Sequence, residues 1–274
     1  MKSLKYVLTL GSFGLCFYLT SSVYFNQGAK ADSPQLTHTV TIGGTSNYLF
    51  RGISLSGKSP AVQGSVDLNY GIIYGGIWAS NTSSNDPFYG QGLGSAEIDF
   101  YGGIKPVWGP VTFDLGAIAY TYFWGKNVAT GSGDYTYYEL KAGMSGEIWK
   151  GLTGSVTNWI APSQSNAPLV YTIEGATSYT LPQVGIFTPT YSSLIGYSDA
   201  RVEDPVNPSA SAGGVGWFPG AGTNINNNYV YWNTGLSLTV DKFTWDLRYW
   251  GTNLDDPWGL GDNRFVLSGK VVLP

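Results

Sequence analysis

Apolar side chains fall at every second position in stretch after stretch of this chain, with charged or small polar residues between them. In residues 96–105, Ala96, Ile98, Phe100, Gly102 and Ile104 share one parity, while Glu97, Asp99, Tyr101, Gly103 and Lys105 share the other. Successive side chains of a strand point to opposite faces, so the pattern specifies strands with one apolar and one polar face. The segments are about 9–11 residues long, the length at which a tilted strand crosses a bilayer. The split recurs with Tyr138, Leu140, Ala142 and Met144 against Glu139 and Lys141, and with Phe243, Trp245, Leu247 and Tyr249 against Thr244, Asp246 and Arg248. It recurs again with Phe265, Leu267, Val271 and Leu273 against Arg264, Ser268 and Lys270. Parity alone does not say which face is inside. A soluble sandwich buries the apolar set, whereas a membrane barrel turns that set to lipid and encloses the charged one.

Features outside the strands favour the barrel. Lys2 and Lys5 precede an apolar run from Val7 to about Phe25 and then Ala29-Lys30-Ala31, which reads as a signal peptide over residues 1–31. Residues 32–274 are then the exported barrel domain. The alternative is an uncleaved anchor, since the run is close to the ~18 residues that span a bilayer. The single cysteine, Cys16, lies in the leader, so the exported chain has no disulfide and no thiol-based metal site. The formal charge is −4, and the leader carries Lys2, Lys5 and Lys30 but no acid. The exported part is therefore more acidic still, which argues against a nucleic-acid partner. Charged residues make up 12% of the chain, against about 25% in soluble domains. The 38 glycines and 20 tyrosines fit strands that face lipid and carry aromatic residues at headgroup level.

The alternation divides the chain into twelve strands, at roughly 36–50, 60–70, 72–81, 95–105, 111–123, 134–145, 152–161, 169–181, 185–196, 229–240, 243–252 and 264–273. The joints alternate in length. Tyr70-Gly71, Pro106–Pro110, Gly146–Gly151, Pro182–Val184 and Asp241-Lys242 are short, whereas 52–59, 82–94, 124–133, 162–168, 197–228 and 253–263 are longer. Short periplasmic turns, long extracellular loops and an even strand count characterise bacterial outer-membrane barrels. Trp108, Trp124 and Trp149 stand at strand ends, where aromatic girdles lie. The predicted fold is all-β: a transmembrane, antiparallel, up-and-down barrel in the outer membrane of a Gram-negative bacterium, with lipid around it. Five prolines between 182 and 219 make the ninth strand the least regular.

The segment Asn47-Tyr48-Leu49-Phe50-Arg51-Gly52-Ile53-Ser54, followed by Pro60-Ala61-Val62-Gln63-Gly64-Ser65-Val66-Asp67, resembles the opening of the TorF-like porin family, a group of predicted outer-membrane proteins. Gly75–Asn81 and Ala96–Gly103 continue the likeness more loosely. The resemblance implies a barrel and a pore. The chain departs from many outer-membrane barrels by ending in Val271-Val272-Leu273-Pro274 rather than in an aromatic residue.

The expected function is passive passage of small polar solutes or ions, without cofactor, metal or covalent chemistry. The alternative is a plugged structural barrel, or one acting through its loops as an adhesin or receptor. An embedded hydrolase needs a Ser–His or Asp–His constellation, and the one histidine, His38, shares the lipid-facing parity of Val40, Ile42, Tyr48 and Phe50 in the first strand and lies near the periplasmic rim. No HExxH, GxSxG or P-loop pattern occurs. The loop 253–263 gathers Asp255, Asp256 and Asp262 and reads as a solvated acidic loop that could hold Ca²⁺ through oxygen ligands. Gly90–Gly94 and Gly213–Gly216 read as flexible surface loops, and Asp86–Gly90 reads as an ordinary turn, the alternative being a segment that contacts a ligand or folds into the mouth.

The polar parity predicts which charges line the pore: Arg51, Asp67, Glu97, Asp99, Lys105, Asp114, Glu139, Lys141, Glu174, Asp246, Arg248 and Lys270. Arg51 is placed at the top of the first strand, either as an anion contact at a constriction or as an ion pair that locks the first loop onto a lumen carboxylate. Seven acids against five bases predict weak cation selectivity, with an acidic wall from strands two to five facing a basic wall from strands eleven, twelve and one. The loop 197–228 could fold inward and close the pore.

Overall fold

The computed structural model describes residues 34–83, 94–123, 135–164, 169–200, 214–215, 218–219, 228–254 and 259–274. Twelve strands form one closed antiparallel ring: β1 Leu36–Thr45, β2 Ala61–Tyr70, β3 Ile73–Asn81, β4 Ala96–Ile104, β5 Val111–Phe123, β6 Tyr135–Trp149, β7 Leu152–Ala161, β8 Val170–Thr180, β9 Thr188–Ala200, β10 Asn228–Val240, β11 Phe243–Thr252 and β12 Arg264–Leu273. Each strand pairs with the next. The ring closes where β1 meets β12, from Val40 opposite Leu273 to Thr45 opposite Ser268. Closure leaves no unpaired edge, which a strand in hydrocarbon requires.

Most predicted strands coincide with observed ones to within two residues. β6 runs four residues further than expected and carries a register shift opposite Leu152 and Thr153. β9 is displaced to Thr188–Ala200, with Pro189 one residue inside its start. The first strand stops at Thr45 rather than at residue 50, and the functional site rests on that difference.

The structure settles which parity is inside. Phe100, Leu140, Trp245, Leu247 and Leu267 lie on the outer wall, each about half exposed, whereas Glu97, Asp99, Glu139, Asp246 and Arg248 are at most 3% exposed inside the ring. A soluble sandwich would show the reverse, and an apolar belt of this extent belongs against lipid. His38 is exposed near the terminal end of β1, two and four residues from the outward Val40 and Ile42. The chain termini lie at the end of the short turns. There Gly71, Gly151 and Asp241 take φ of 60°, 75° and 51° in two-residue hairpin connections that need the left-handed region. Trp108 and Trp149 stand exposed at the same end, while Trp124 lies outside the described residues.

The tyrosine and glycine content has a shared cause inside the barrel. A Cβ on Gly103 or Gly116 would stand 2.7 or 2.5 Å from the Tyr74 hydroxyl, one on Gly76 would stand 2.5 Å from the Tyr101 hydroxyl, and one on Gly196 would stand 2.2 Å from the Tyr231 ring. Each ring occupies the space that a side chain at the facing glycine would take, which lets large residues fit a narrow lumen.

Candidate functional site

After Thr45 the chain leaves the wall and turns into the barrel. Thr45 Oγ1 donates to the Asn47 carbonyl at 2.9 Å, and the ten residues from Asn47 to Ser56 are all buried. Within them Leu49–Phe50 pairs with Ile53–Ser54, and Leu55 N donates to the Tyr48 carbonyl at 2.8 Å. Asn47 ties the base, its Oδ1 accepting from Ser54 Oγ at 2.7 Å and from Ser56 Oγ at 3.2 Å. The first loop is thus an inward hairpin. This corrects the expectation that Tyr48 and Phe50 continue the lipid face of the first strand. Both rings are inside, with 1% and 5% exposure.

The hairpin packs on both walls. Tyr48, Phe50 and Leu55 join Ile118, Tyr120, Tyr122, Tyr137 and Trp159 on one side, while Leu49 and Ile53 join Leu194, Tyr229, Tyr231, Trp250, Leu260 and Val266 on the other. Consecutive residues of an extended segment point to opposite sides, so a segment apolar at both parities can bridge two apolar walls. Tyr48 OH donates to Glu97 Oε2 at 2.8 Å, and Ser54 N donates to the Leu260 carbonyl of the last loop at 3.1 Å.

The tip is Arg51-Gly52, with φ of 50° and 85°, the two positive values of a tight two-residue hairpin turn. Gly52 cannot be replaced freely, because a Cβ there would lie 2.5 Å from Thr252 Cγ2 and 3.2 Å from Tyr231 Cβ. Arg51, a bulky residue in the left-handed region, pays for its backbone with its side chain. Its Nη1 and Nη2 donate to Glu139 Oε1 and Oε2 at 2.9 and 2.8 Å. Its guanidinium carbon lies 4.6 Å from the Phe50 ring centroid and 5.8 Å from that of Trp159. Tyr229 OH donates to its carbonyl at 3.2 Å, and Tyr120 OH donates to Glu139 Oε2 at 3.0 Å. Of the two sequence readings of Arg51, the loop-locking ion pair is the one observed, from a hairpin tip rather than from a strand.

The remaining predicted charges divide by height. In the extracellular half, Glu97, Asp99, Glu139 and Glu174 are at most 3% exposed. Glu174 accepts from Trp159 Nε1 at 2.9 Å and from Tyr231 OH at 2.7 Å, while neither Asp99 carboxylate oxygen has a hydrogen-bond partner. Arg248 donates through Nε and Nη2 to Asp246 at 3.1 and 2.9 Å, and through Nη1 to Asn233 at 2.7 Å. Toward the periplasm Lys141 Nζ reaches Asp114 at 2.6 Å, and Lys105 Nζ lies 3.9 Å from the same oxygen. Asp67 accepts from Tyr101 OH and from Ser65 Oγ, and Lys270 faces Asp67 and Asp246. The expected pair of opposed walls is therefore replaced by local neutralisation. Arg51 crosses to the acidic side, Arg248 pairs along its own strand, and two lysines stand among the acids.

Sequence reasoning missed the partners that hold the hairpin, Tyr120, Tyr229, Tyr231, Trp159 and Thr252. The signal available was the run Tyr48-Leu49-Phe50-Arg51-Gly52-Ile53-Ser54-Leu55, apolar at both parities around a turn dipeptide. Among the described residues no group of three or more His, Cys, Asp or Glu side chains could hold a metal. Asp255, Asp256, Gly213, Gly216, Asp86–Gly90 and most of the loop 197–228 lie outside the described residues.

A closed twelve-stranded barrel with lipid-facing apolar residues and an enclosed charged lumen is the architecture of outer-membrane porins. The chain belongs to the Gcw_chp family, described as bacterial proteins of unknown function, whose model matches residues 28–272. No curated protein matches it by sequence. Among solved structures it is similar to the KdgM porin, with 8% identity, 85% of this chain and 98% of that one covered, and a TM-score of 0.52. The KdgM porin in complex with disordered oligogalacturonate gives 7% identity, 86% and 98% coverage and a TM-score of 0.50. The NanC porin gives 11%, 86%, 98% and 0.45. At such identities the likeness establishes the fold.

Proposed function

We propose that the protein is an outer-membrane channel for small polar solutes or ions, that residues 1–31 direct its export, and that the inward hairpin 47–56 is its constriction. The observation that carries this reading is a closed barrel whose wall is of porin type and whose lumen keeps hydrated-type side chains, lysines and aspartates, at the periplasmic end. A barrel of twelve strands is intermediate between small barrels filled by side chains and wide porins. The likeness of residues 47–67 to the TorF-like porins supports the same reading. Passage needs no chemistry: the Arg51–Glu139 pair and the aromatic clusters fix the bore, and the charges left beside it set which ions enter.

The fully buried hairpin favours a second reading, a plugged barrel that acts through its extracellular loops. Planar-bilayer recordings on the purified, folded protein separate the two. Discrete conductance steps support the channel, and their absence over many insertions supports the plug.

A further inference from the structure

Two buried donors stand side by side below the tip of the inward hairpin with no acceptor for either. Along β10 and β11 the inward residues oppose one another in a ladder: Tyr231 with Thr252, Asn233 with Trp250, Gly235 with Arg248 and Ser237 with Asp246. Directly opposed side chains of an antiparallel pair have Cβ atoms about 4.5–5.5 Å apart, so Asn233 and Trp250 form one rung. They are 3% and 1% exposed, and neither Asn233 Nδ2 nor Trp250 Nε1 has a hydrogen-bond partner. Turning the amide over does not cure this. Arg248 Nη1 donates to Asn233 Oδ1 at 2.7 Å, and a flipped amide would set N–H against N–H. The indole nitrogen is a donor only, so the rung presents N–H groups alone. The hairpin covers it from above: Gly52 lies against Tyr231 and Thr252 on the next rung, and Leu49 and Ile53 share one apolar cluster with Trp250. Below it, Arg248 uses four of its five N–H groups on Asp246, Asn233 and Ser192.

We propose that the Asn233–Trp250 rung is a binding subsite for uncharged, hydroxyl-rich solutes of the sugar class, uncovered when Leu49 and Ile53 lift off Trp250. Sugar oxygens supply the acceptors that the amide and indole N–H groups lack, and the uncovered indole gives a flat apolar surface for the ring's C–H face, the usual combination of a small-molecule site. An unmet buried donor is costly, so the covered form carries a cost that a bound oxygen removes. The solute therefore favours the uncovered form by that difference. The solute is uncharged because both donors are uncharged and the guanidinium of this wall is held against Asp246; a carboxylate buried here would lose its water without gaining a counter-charge. The subsite deepens the channel reading and rests on it for the solute's route, but binding is measurable whether or not the barrel conducts.

The test is isothermal titration of the full-length, folded protein, in a polyoxyethylene detergent that brings no sugar headgroup, with glucose and with glucuronate, which differ by one carboxylate. Saturable glucose binding is expected, and weaker binding of glucuronate. Trp250→Phe keeps an aromatic ring and removes the N–H; Asn233→Asp keeps the acceptor for Arg248 and removes the amide donor. Each should weaken glucose binding about threefold to tenfold, whereas Trp232→Phe, on the opposite face of the same strand as Asn233, should leave it unchanged. A variant with residues 47–59 replaced by a short Gly/Ser turn should bind glucose more tightly, because the cover is gone. Heat-modified gel migration checks that each variant is folded, with Asn233→Leu as the substitute if the aspartate variant is not. The proposal is overturned by absence of glucose binding in the unmodified protein, by equal binding in the Trp250 and Asn233 variants, by glucuronate binding as tightly as glucose, or by binding no tighter without the hairpin. Failure of conductance with glucose binding intact would count against the channel alone, and conductance without glucose binding against the subsite alone.

Discussion

Arg51, on an inward loop, and Glu139, on the sixth strand, form a two-pronged ion pair across the lumen at 2.8 and 2.9 Å, with both side chains almost wholly buried. Removing one partner of such a pair leaves a buried charge with no counter-charge, a loss of roughly 3–5 kcal/mol. Arg51→Met and Glu139→Gln are each expected to lower the temperature at which the folded form disappears on an unboiled gel. The double variant should lose less than the sum of the two, because neither charge is then stranded. Additive losses would mean that the pair is not coupled.

Gly52 carries two constraints at once, a φ of 85° and a wall within 2.5 Å. Gly52→Ala is expected to destabilise the docked hairpin by about 1–3 kcal/mol. Limited proteolysis of intact cells or proteoliposomes reads this directly. New cleavage between residues 47 and 59 is predicted in the variant and none in the unmodified chain.

Tyr231 lies over Gly196, so a side chain at that position must displace the ring. Gly196→Val should cost about 1–3 kcal/mol of overpacking and, because Tyr231 OH also donates to Glu174, should loosen the apolar cluster behind the hairpin tip. Denaturant unfolding in detergent, followed by tryptophan fluorescence, checks this. An unchanged midpoint would contradict it.

Most of the barrel was legible in the sequence because lipid on one side and water on the other impose a strict period of two, and because strand length and turn length answer to bilayer thickness. Residues 111–123, 243–252 and 264–273 show this to the residue. The hairpin was not legible by the same rule. Tyr48 and Phe50 keep the phase of Val40 and Ile42, so parity assigns them to lipid, and only tertiary contacts with the cluster of Tyr120, Tyr137 and Trp159 draw them inside. The candidate charges were found by parity, but their pairing was not. Arg51 reaches a strand 88 residues away, and which acids remain open to water depends on what the hairpin covers.

That covering has a consequence for selectivity. Glu97 and Asp99 are fully buried, so Glu97→Gln with Asp99→Asn should leave the reversal potential across a KCl gradient unchanged in the whole protein. The same substitutions should reduce cation preference once the hairpin is removed and the acids face water. A shift in the whole protein would mean that the acids already touch the conduction path.

The most direct test of the hairpin as constriction is the single-channel conductance of the full chain beside a variant in which residues 47–59 are replaced by a short Gly/Ser turn that joins the first two barrel strands. The account predicts small steps for the full chain and clearly larger ones for the variant, with both forms folded on an unboiled gel. Equal step sizes would contradict it.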